Sequence, residues 1–238
     1  MRIHFPKIVA NKLIQWLMQD TESLRQEALS DFERIQYEIR HCDVLLIEGR
    51  SRVARAISLV TQSIWSHAGL YIGRLYDIKD TQMREWIAGY YQGDADIPLV
   101  VESILGKGVV VSPLTQYQHE HIRICRPMGL SSRDAKKVIE YAVSKLGIAY
   151  DIRQIFDLWR FMIPWGIFPR RWRSSLFSRQ AGESTRFSCS LLLVEAFSSV
   201  NFPILPIVSD NAETGIEFAR RNPRLYTPSD FDYSPFFQ

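Results

Sequence analysis

The chain has 238 residues, of which 46% are hydrophobic and 23% are charged, a composition typical of a globular protein with a sizeable core. Its formal net charge of +3 is too small to indicate a nucleic-acid partner without a clustered basic patch. The three cysteines, Cys42, Cys125 and Cys189, are far apart and lack metal-ligand spacing, which argues against a disulfide framework. We therefore expect a cytoplasmic protein with no cofactor, no metal and no nucleic acid.

The first 40 residues predict a helical extension. Residues 8–18 form an amphipathic stretch, which is short, broken by polar residues and without a small-residue cleavage site, so we expect neither a signal peptide nor a membrane span. A second helix is indicated by apolar residues at helical spacing, namely Leu24, Ala28, Phe32, Ile35 and Ile39. Such a stripe either covers the core or lies on a membrane surface.

The next segment predicts a strand, a basic helix and a second strand. Residues 43–48, DVLLIE, form an apolar run, and the basic stretch 50–63 follows Gly49. From His67 to residue 73 the side chains alternate between two faces, which indicates a half-buried strand that begins with a histidine. Residues 75–98 have weak periodicity, and we interpret them as an insertion or a loop with a short helix.

Residues 99–104, LVVESI, predict a strand in which Glu102 shares a face with Val100 and Ile104. A carboxylate in that position costs free energy unless it finds a partner. Further strands are indicated at 109–111 and 121–125, and a helix capped by serine at 131–147. The two histidines at 119 and 121 are consistent with metal binding or with a merely polar turn.

Residues 187–197, FSCSLLLVEAF, predict a buried helix with one reactive atom at its N-terminal end. Cys189 lies in the first turn, where unpaired N–H groups and the helix dipole stabilise a thiolate. A cysteine in such a run either reacts or simply packs.

Two remaining regions are less regular. Residues 152–179 mix tryptophans with arginines, which suits a membrane interface, a lid over an apolar pocket, or an insertion packed on its own core. The proline-rich C-terminal part predicts loops that wrap the domain.

His67, Glu102 and Cys189 each stand at or near the end of an apolar element. Thiol catalysis needs such a set, because a histidine takes the thiol proton and a third polar group holds the imidazole in the right tautomer.

The segments DVLLIEGRSRVARAISLVTQSIWSHAGLYIG, VVES and FSCSLLLVEAF resemble the circularly permuted, NlpC-type papain-like cysteine peptidase superfamily, in particular its YiiX/YebB-like group. The resemblance covers about 43–202, with a further match in TPSDF from Thr227, and the histidine precedes the cysteine as in the permuted group. It implies that Cys189 is the nucleophile, His67 the general base and Glu102 the group that orients the imidazole. It also implies that the Tyr150 hydroxyl and the Cys189 N–H bind the oxyanion.

We therefore predict an α+β, permuted papain-like domain over 41–238, in which an antiparallel sheet of about five strands packs against the cysteine helix and the 131–147 helix. The resemblance implies a cysteine hydrolase or acyltransferase that forms an acyl-enzyme on an amide, ester or thioester. Acylated, lipid-like or peptide substrates are expected, with peripheral membrane contact. The alternative is a non-catalytic lipid- or peptide-binding module on the same fold. This chain departs from the family pattern in its 67–102 segment, its 150–189 insertion and its N-terminal extension.

Overall fold

The computed structural model describes residues 7–21, 29–149, 188–205, 207–211, 215–219 and 222–238. Tyr150 and the aromatic, basic insertion 152–179 lie outside the described residues.

A five-stranded antiparallel sheet forms the centre of the molecule, with the strand order β4-β3-β2-β1-β5. Its strands are β1 Val44–Glu48, β2 His67–Arg74, β3 Pro98–Ile104, β4 Gly108–Pro113 and β5 His121–Cys125. Each of them was expected from the sequence. The prediction that the His67 strand is half-buried was wrong, however, because every residue between the two ends of β2 is buried. This strand lies between β1 and β3, and other elements cover both faces of the sheet there. Neither set of alternating side chains of β2 therefore faces solvent.

Seven helices in the described part of the chain surround the sheet. They are α1 Lys7–Met18, α2 Phe32–Glu38, α3 Arg52–Thr61, α4 Thr81–Ala88, α5 Ser132–Ser144, α6 Ser188–Ser198 and α7 Ser229–Asp232. The second N-terminal helix therefore begins at Phe32, where Asp31 caps it, and residues 22–28 lie outside the described residues. Ser131 caps α5 as predicted, by accepting a hydrogen bond from the Asp134 N–H.

The cysteine-bearing helix α6 and helix α5 pack together on one face of the sheet. Leu193, Ala196 and Phe197 of α6 are fully buried there. Alternate residues of β2 and β3, such as Leu70 and Val101, complete this core. The interior position predicted for this apolar helix is thus confirmed, and it fixes the place of the first turn.

The opposite face of the sheet is covered by α2 and by a short 3-10 turn, Leu114–Tyr117. A smaller cluster beside it joins α1 to α3, where Leu17 packs against Val53 and Ile57. Helix α1 therefore covers part of the core, which is one of the two roles expected for its apolar stripe.

The C-terminal part contains more regular structure than its prolines suggested. Strands β6 Ile207–Asn211 and β7 Gly215–Ala219 form a hairpin that the sequence analysis missed. In the TPSDF segment, Asp230 accepts hydrogen bonds from the Thr227 N–H and hydroxyl, and Phe231 packs against Phe197 of α6. This segment therefore holds the cysteine helix against the core.

Gly69 of β2 is required by close packing, because a Cβ added there would lie 2.4 Å from Val100 Cγ1. We expect Gly69→Ala to lower the free energy of unfolding by about 1–3 kcal/mol. Because β2 is hydrogen-bonded to a strand on each side, it cannot shift to relieve the overlap with Val100. Urea denaturation measures this loss. Gly89→Ala is the control, because Gly89 has helical backbone angles at the end of α4. Equal stability of the two variants would contradict the packing argument.

Candidate active site

His67 and Glu102 meet across the β2–β3 pair. Gly69 is the register partner of Glu102, and His67 precedes Gly69 by two residues, so His67 and Glu102 are diagonal neighbours on one face of the sheet. Gly69 has no side chain to separate them. His67 Nε2 forms a hydrogen bond with Glu102 Oε2, and the two groups make an ion pair when the imidazole is protonated. The partner that the sequence required for Glu102 is therefore His67.

The Glu102 carboxylate is fully buried, yet its hydrogen-bonding capacity is filled. Tyr117 Oη donates to Oε2, and Gln116 Nε2 donates to Oε1 at 2.7 Å. Burial by itself raises the pKa of this carboxyl, but hydrogen bonds and charge from His67, with the hydroxyls of Ser112 and Tyr117, hold the pKa below its usual value. Glu102 therefore stays ionised and fixes the imidazole.

Tyr117 and Gln116 are site residues that the sequence analysis missed. Both belong to the 3-10 turn that follows β4, Leu114–Tyr117, which folds back over Glu102 of the neighbouring strand. Burial and the adjacent carboxylate raise the pKa of Tyr117 well above its ordinary value, so its hydroxyl remains a donor. The only sequence signal for this pair was a polar turn directly after an apolar strand.

Cys189 reaches the same place from the other side of the sheet. It lies in the first turn of α6, and His67 is the first residue of β2, so the two meet at the end of that strand. Burial raises the pKa of the Cys189 thiol. A hydrogen bond and the charge of His67, the Ala68 N–H and the Ser190 hydroxyl more than offset burial, so the net pKa is lowered.

The imidazole responds in the opposite direction. Burial lowers the pKa of His67, but hydrogen bonds to Cys189 and Glu102 and the charges of both outweigh burial and raise the pKa to about 10. Nε2 is engaged by Glu102, which leaves Nδ1 as the ring nitrogen available to Cys189. A lowered thiol pKa beside a raised imidazole pKa means that each group favours the charged form of the other, as in a thiolate–imidazolium pair.

The other two cysteines provide a contrast within the same core. Cys42 and Cys125 are buried, and burial raises the pKa of each thiol to about 12. No histidine contributes to either shift. Burial, helped by nearby carboxylates, raises the pKa of these two thiols, and the His67 partner distinguishes Cys189.

Ser190 follows the cysteine and is fully buried. Its hydroxyl has no hydrogen-bond partner among the described residues, and its position beside Cys189 lowers the pKa of that thiol. Because a hydroxyl hydrogen rotates freely, this group can donate to the thiolate.

A cavity of about 220 Å³ opens onto the sulfur and the imidazole. Its walls are largely apolar and come from α1, α3 and the end of β3, with polar groups at one side. The lining includes Met18, Val53, Ile57 and Leu105, together with Arg50 and Glu120. Arg50 pairs with Glu120 at 3.5 Å, so these two charges of the cavity lining are matched.

The remaining expectations are only partly addressed by the described residues. Tyr150 lies outside them, so its role at the oxyanion stays a prediction. Across the part of the chain that the structure describes, no group of three or more His, Cys, Asp or Glu side chains is placed to hold a metal ion. Within that same part, every helix is too short or too polar to cross a bilayer.

Comparison with known proteins identifies a family and similar solved structures. A family model described as a permuted papain-like amidase enzyme, YaeF/YiiX, C92 family, matches residues 38–157, which include His67 and Glu102 and end before Cys189. A similar solved structure is the one titled metalloprotein YiiX from Escherichia coli O157:H7, with 18% identity and a TM-score of 0.47 over 84% of this chain and 94% of that chain. No curated protein matches. Since the family match spans half of the chain and agrees with the resemblance and the α+β fold, this chain belongs to the YaeF/YiiX family of permuted papain-like amidases.

Proposed function

We propose that this chain is a cysteine hydrolase that acts on an amide, ester or thioester through Cys189, His67 and Glu102. The observation that supports the proposal is that Cys189 lines the same cavity as the His67 imidazole, which the buried Glu102 carboxylate holds, although the three residues are far apart in sequence. The family membership is consistent with it.

In the proposed first step, the Cys189 thiolate attacks the carbonyl carbon and forms a C–S bond. The oxyanion that develops is proposed to lie near the N-terminus of α6, where the first-turn N–H groups, including that of Cys189, have no acceptor within the helix. Tyr150 is proposed as the second donor. The His67 imidazolium then gives its proton to the leaving amine, alcohol or thiol as the bond from the carbonyl carbon to that group breaks.

In the second step, a water molecule or another acceptor attacks the thioester. Neutral His67 removes a proton from that acceptor, the C–S bond breaks, and the thiolate–imidazolium pair forms again. Glu102 remains ionised throughout and holds the ring through Nε2. Whether water or another nucleophile resolves the acyl-enzyme distinguishes a hydrolase from an acyltransferase.

The cavity supports an acylated or lipid-like substrate over a short polar one. Its walls beside the sulfur carry side chains such as Val53, Ile57 and Leu105, which offer contacts to hydrocarbon and no charge. We propose that the acyl portion lies there and that the leaving group points to the rim at Arg50 and Glu120. Helix α1 supplies Met18 to this wall, so we propose that the extension 1–40 takes part in substrate binding by the hydrolase domain 41–238.

The test that decides the function is selective labelling of the thiols. At pH 6.5 we expect iodoacetamide to modify Cys189 at least about a hundredfold faster than Cys42 or Cys125, because only its thiolate is stabilised by an imidazolium. Peptide mass spectrometry identifies the modified residue. In denaturant the three should react alike, which is the control. Comparable labelling in the folded protein would favour a non-catalytic binding module, and Cys189→Ala should abolish turnover of an acyl probe substrate.

The pH profile tests the carboxylate and its support. His67 has a raised pKa, so the imidazolium is present below about pH 10 and is lost above it. Removing the charge in Glu102→Gln lowers that pKa, and the alkaline limb of kcat/KM should move to lower pH with a loss of about a hundredfold or more. Tyr117→Phe keeps the charge and removes one donor, so we expect roughly a tenfold loss. Profiles that keep the wild-type shape in both variants would contradict these roles.

Substrate choice tests the cavity. Leu105 is half-buried in the cavity wall, and Leu105→Trp should fill the space without exposing core. We expect kcat/KM for an octanoyl ester to fall at least about tenfold relative to the acetyl ester, since each excluded methylene costs binding energy. The acetyl ester measured on the same variant is the control. An equal fall for both esters would show that the acyl chain binds elsewhere.

A further inference from the structure

Helices α1 and α3 present a solvent-facing surface that combines apolar and basic side chains. Residues 52, 55 and 59 follow at helical spacing on the side of α3 away from the core, which is formed by Val53 and Ile57. Leu59 is 76% exposed, and Trp16 of α1 is 41% exposed. An aliphatic side chain that is three-quarters exposed on an otherwise well-packed helix has no role in the core.

Within the described parts of α1 and α3 and their neighbours, the basic residues of this surface form no ion pair with a carboxylate. The Arg52 guanidinium stacks over the Trp16 ring at 4.8 Å and donates to the Trp16 carbonyl at 3.0 Å. Arg55 is exposed. Among the described residues, neither arginine forms an ion pair, whereas Arg50 nearby pairs with Glu120. Two unpaired cations beside exposed tryptophan and leucine match the charge and polarity of an anionic bilayer surface.

The surface adjoins the catalytic cavity. Met18 is 39% exposed at the end of α1 and also lines the cavity, so it belongs to both. Two further exposed apolar residues, Val60 and Ile64, follow at the end of α3. The cavity that contains Cys189 therefore opens beside the side chains that would enter the lipid interface.

We propose that the α1–α3 surface, formed by Trp16, Met18, Arg52, Arg55 and Leu59, binds anionic phospholipid membranes and brings the cavity mouth to the lipid. Membrane binding itself does not depend on the proposed hydrolysis. Only the further step, in which an acyl chain from the bilayer reacts at Cys189, rests on the proposed function. The peripheral membrane contact expected from the sequence is thereby assigned to particular residues outside the 152–179 insertion.

Vesicle sedimentation tests the surface separately from catalysis. The full chain and its Cys189→Ala variant are mixed with vesicles of phosphatidylcholine alone or with 30% phosphatidylglycerol, at about 50 mM and about 500 mM salt, where screening differs strongly. We expect both proteins to sediment with the anionic vesicles at low salt, and binding to fall severalfold at high salt or without the anionic lipid. Failure of both proteins to bind anionic vesicles at low salt would overturn the proposal and leave the hydrolase assignment untouched.

Surface variants locate the contact. Arg55→Gln with Leu59→Ser should weaken binding at least about fivefold, because one interfacial cation and one buried aliphatic chain are lost. The matched control is Arg34→Gln with Tyr37→Ser on α2. It also removes one exposed cation and one exposed aromatic side chain from a single helix face, since Tyr37 is 91% exposed. Circular dichroism checks folding. Equal binding by both double variants would overturn the assignment. So would the absence of vesicle binding together with a concentration-dependent dimer that forms in the wild type and not in the Arg55/Leu59 variant.

Discussion

The buried carboxylate of Glu102 is the constraint around which the rest of the site is arranged. Burying an ionised group costs free energy. Three hydrogen-bonding partners offset that cost here, namely His67 on the neighbouring strand and Tyr117 and Gln116 on the turn after β4. The β2–β3 register fixes His67, and the turn after β4 fixes Tyr117 and Gln116. The imidazole is therefore held in one orientation. The geometry of His67 therefore follows from the need to keep Glu102 charged.

The same electrostatic chain explains why one thiol among three differs from the others. Cys42, Cys125 and Cys189 are all buried, and burial alone raises a thiol pKa. Only Cys189 stands at a helix N-terminus beside an imidazole that a carboxylate already holds. The Glu102 carboxylate raises the pKa of the imidazole, and the imidazole lowers the pKa of the Cys189 thiol, so the three groups are electrostatically coupled.

The C-terminal segment positions the other half of the site. Phe231 and Phe237 pack against Phe197, and the last residues pair with the backbone next to β5 through Arg126 and Gln238. These contacts press α6 onto the sheet, which brings its first turn to the start of β2. At the ends of β1, β2 and β3, residues of α1 and α3 line an apolar cavity that also contacts Cys189. The packing that holds α6 and the walls of the cavity therefore come from different parts of the chain.

The sequence by itself determined the elements and three of the residues at the site. Apolar alternation and helical spacing located the five strands and the cysteine helix, and a charged residue within an apolar run marked Glu102 as needing a partner. The sequence could not show that β2 is buried on both faces, since burial depends on what packs against each side. It also did not reveal Tyr117 and Gln116, because their role arises only when the turn after β4 folds over the neighbouring strand. The convergence of His67, Glu102 and Cys189 was decided by tertiary structure, since strand register and helix packing bring together groups that no local pattern connects.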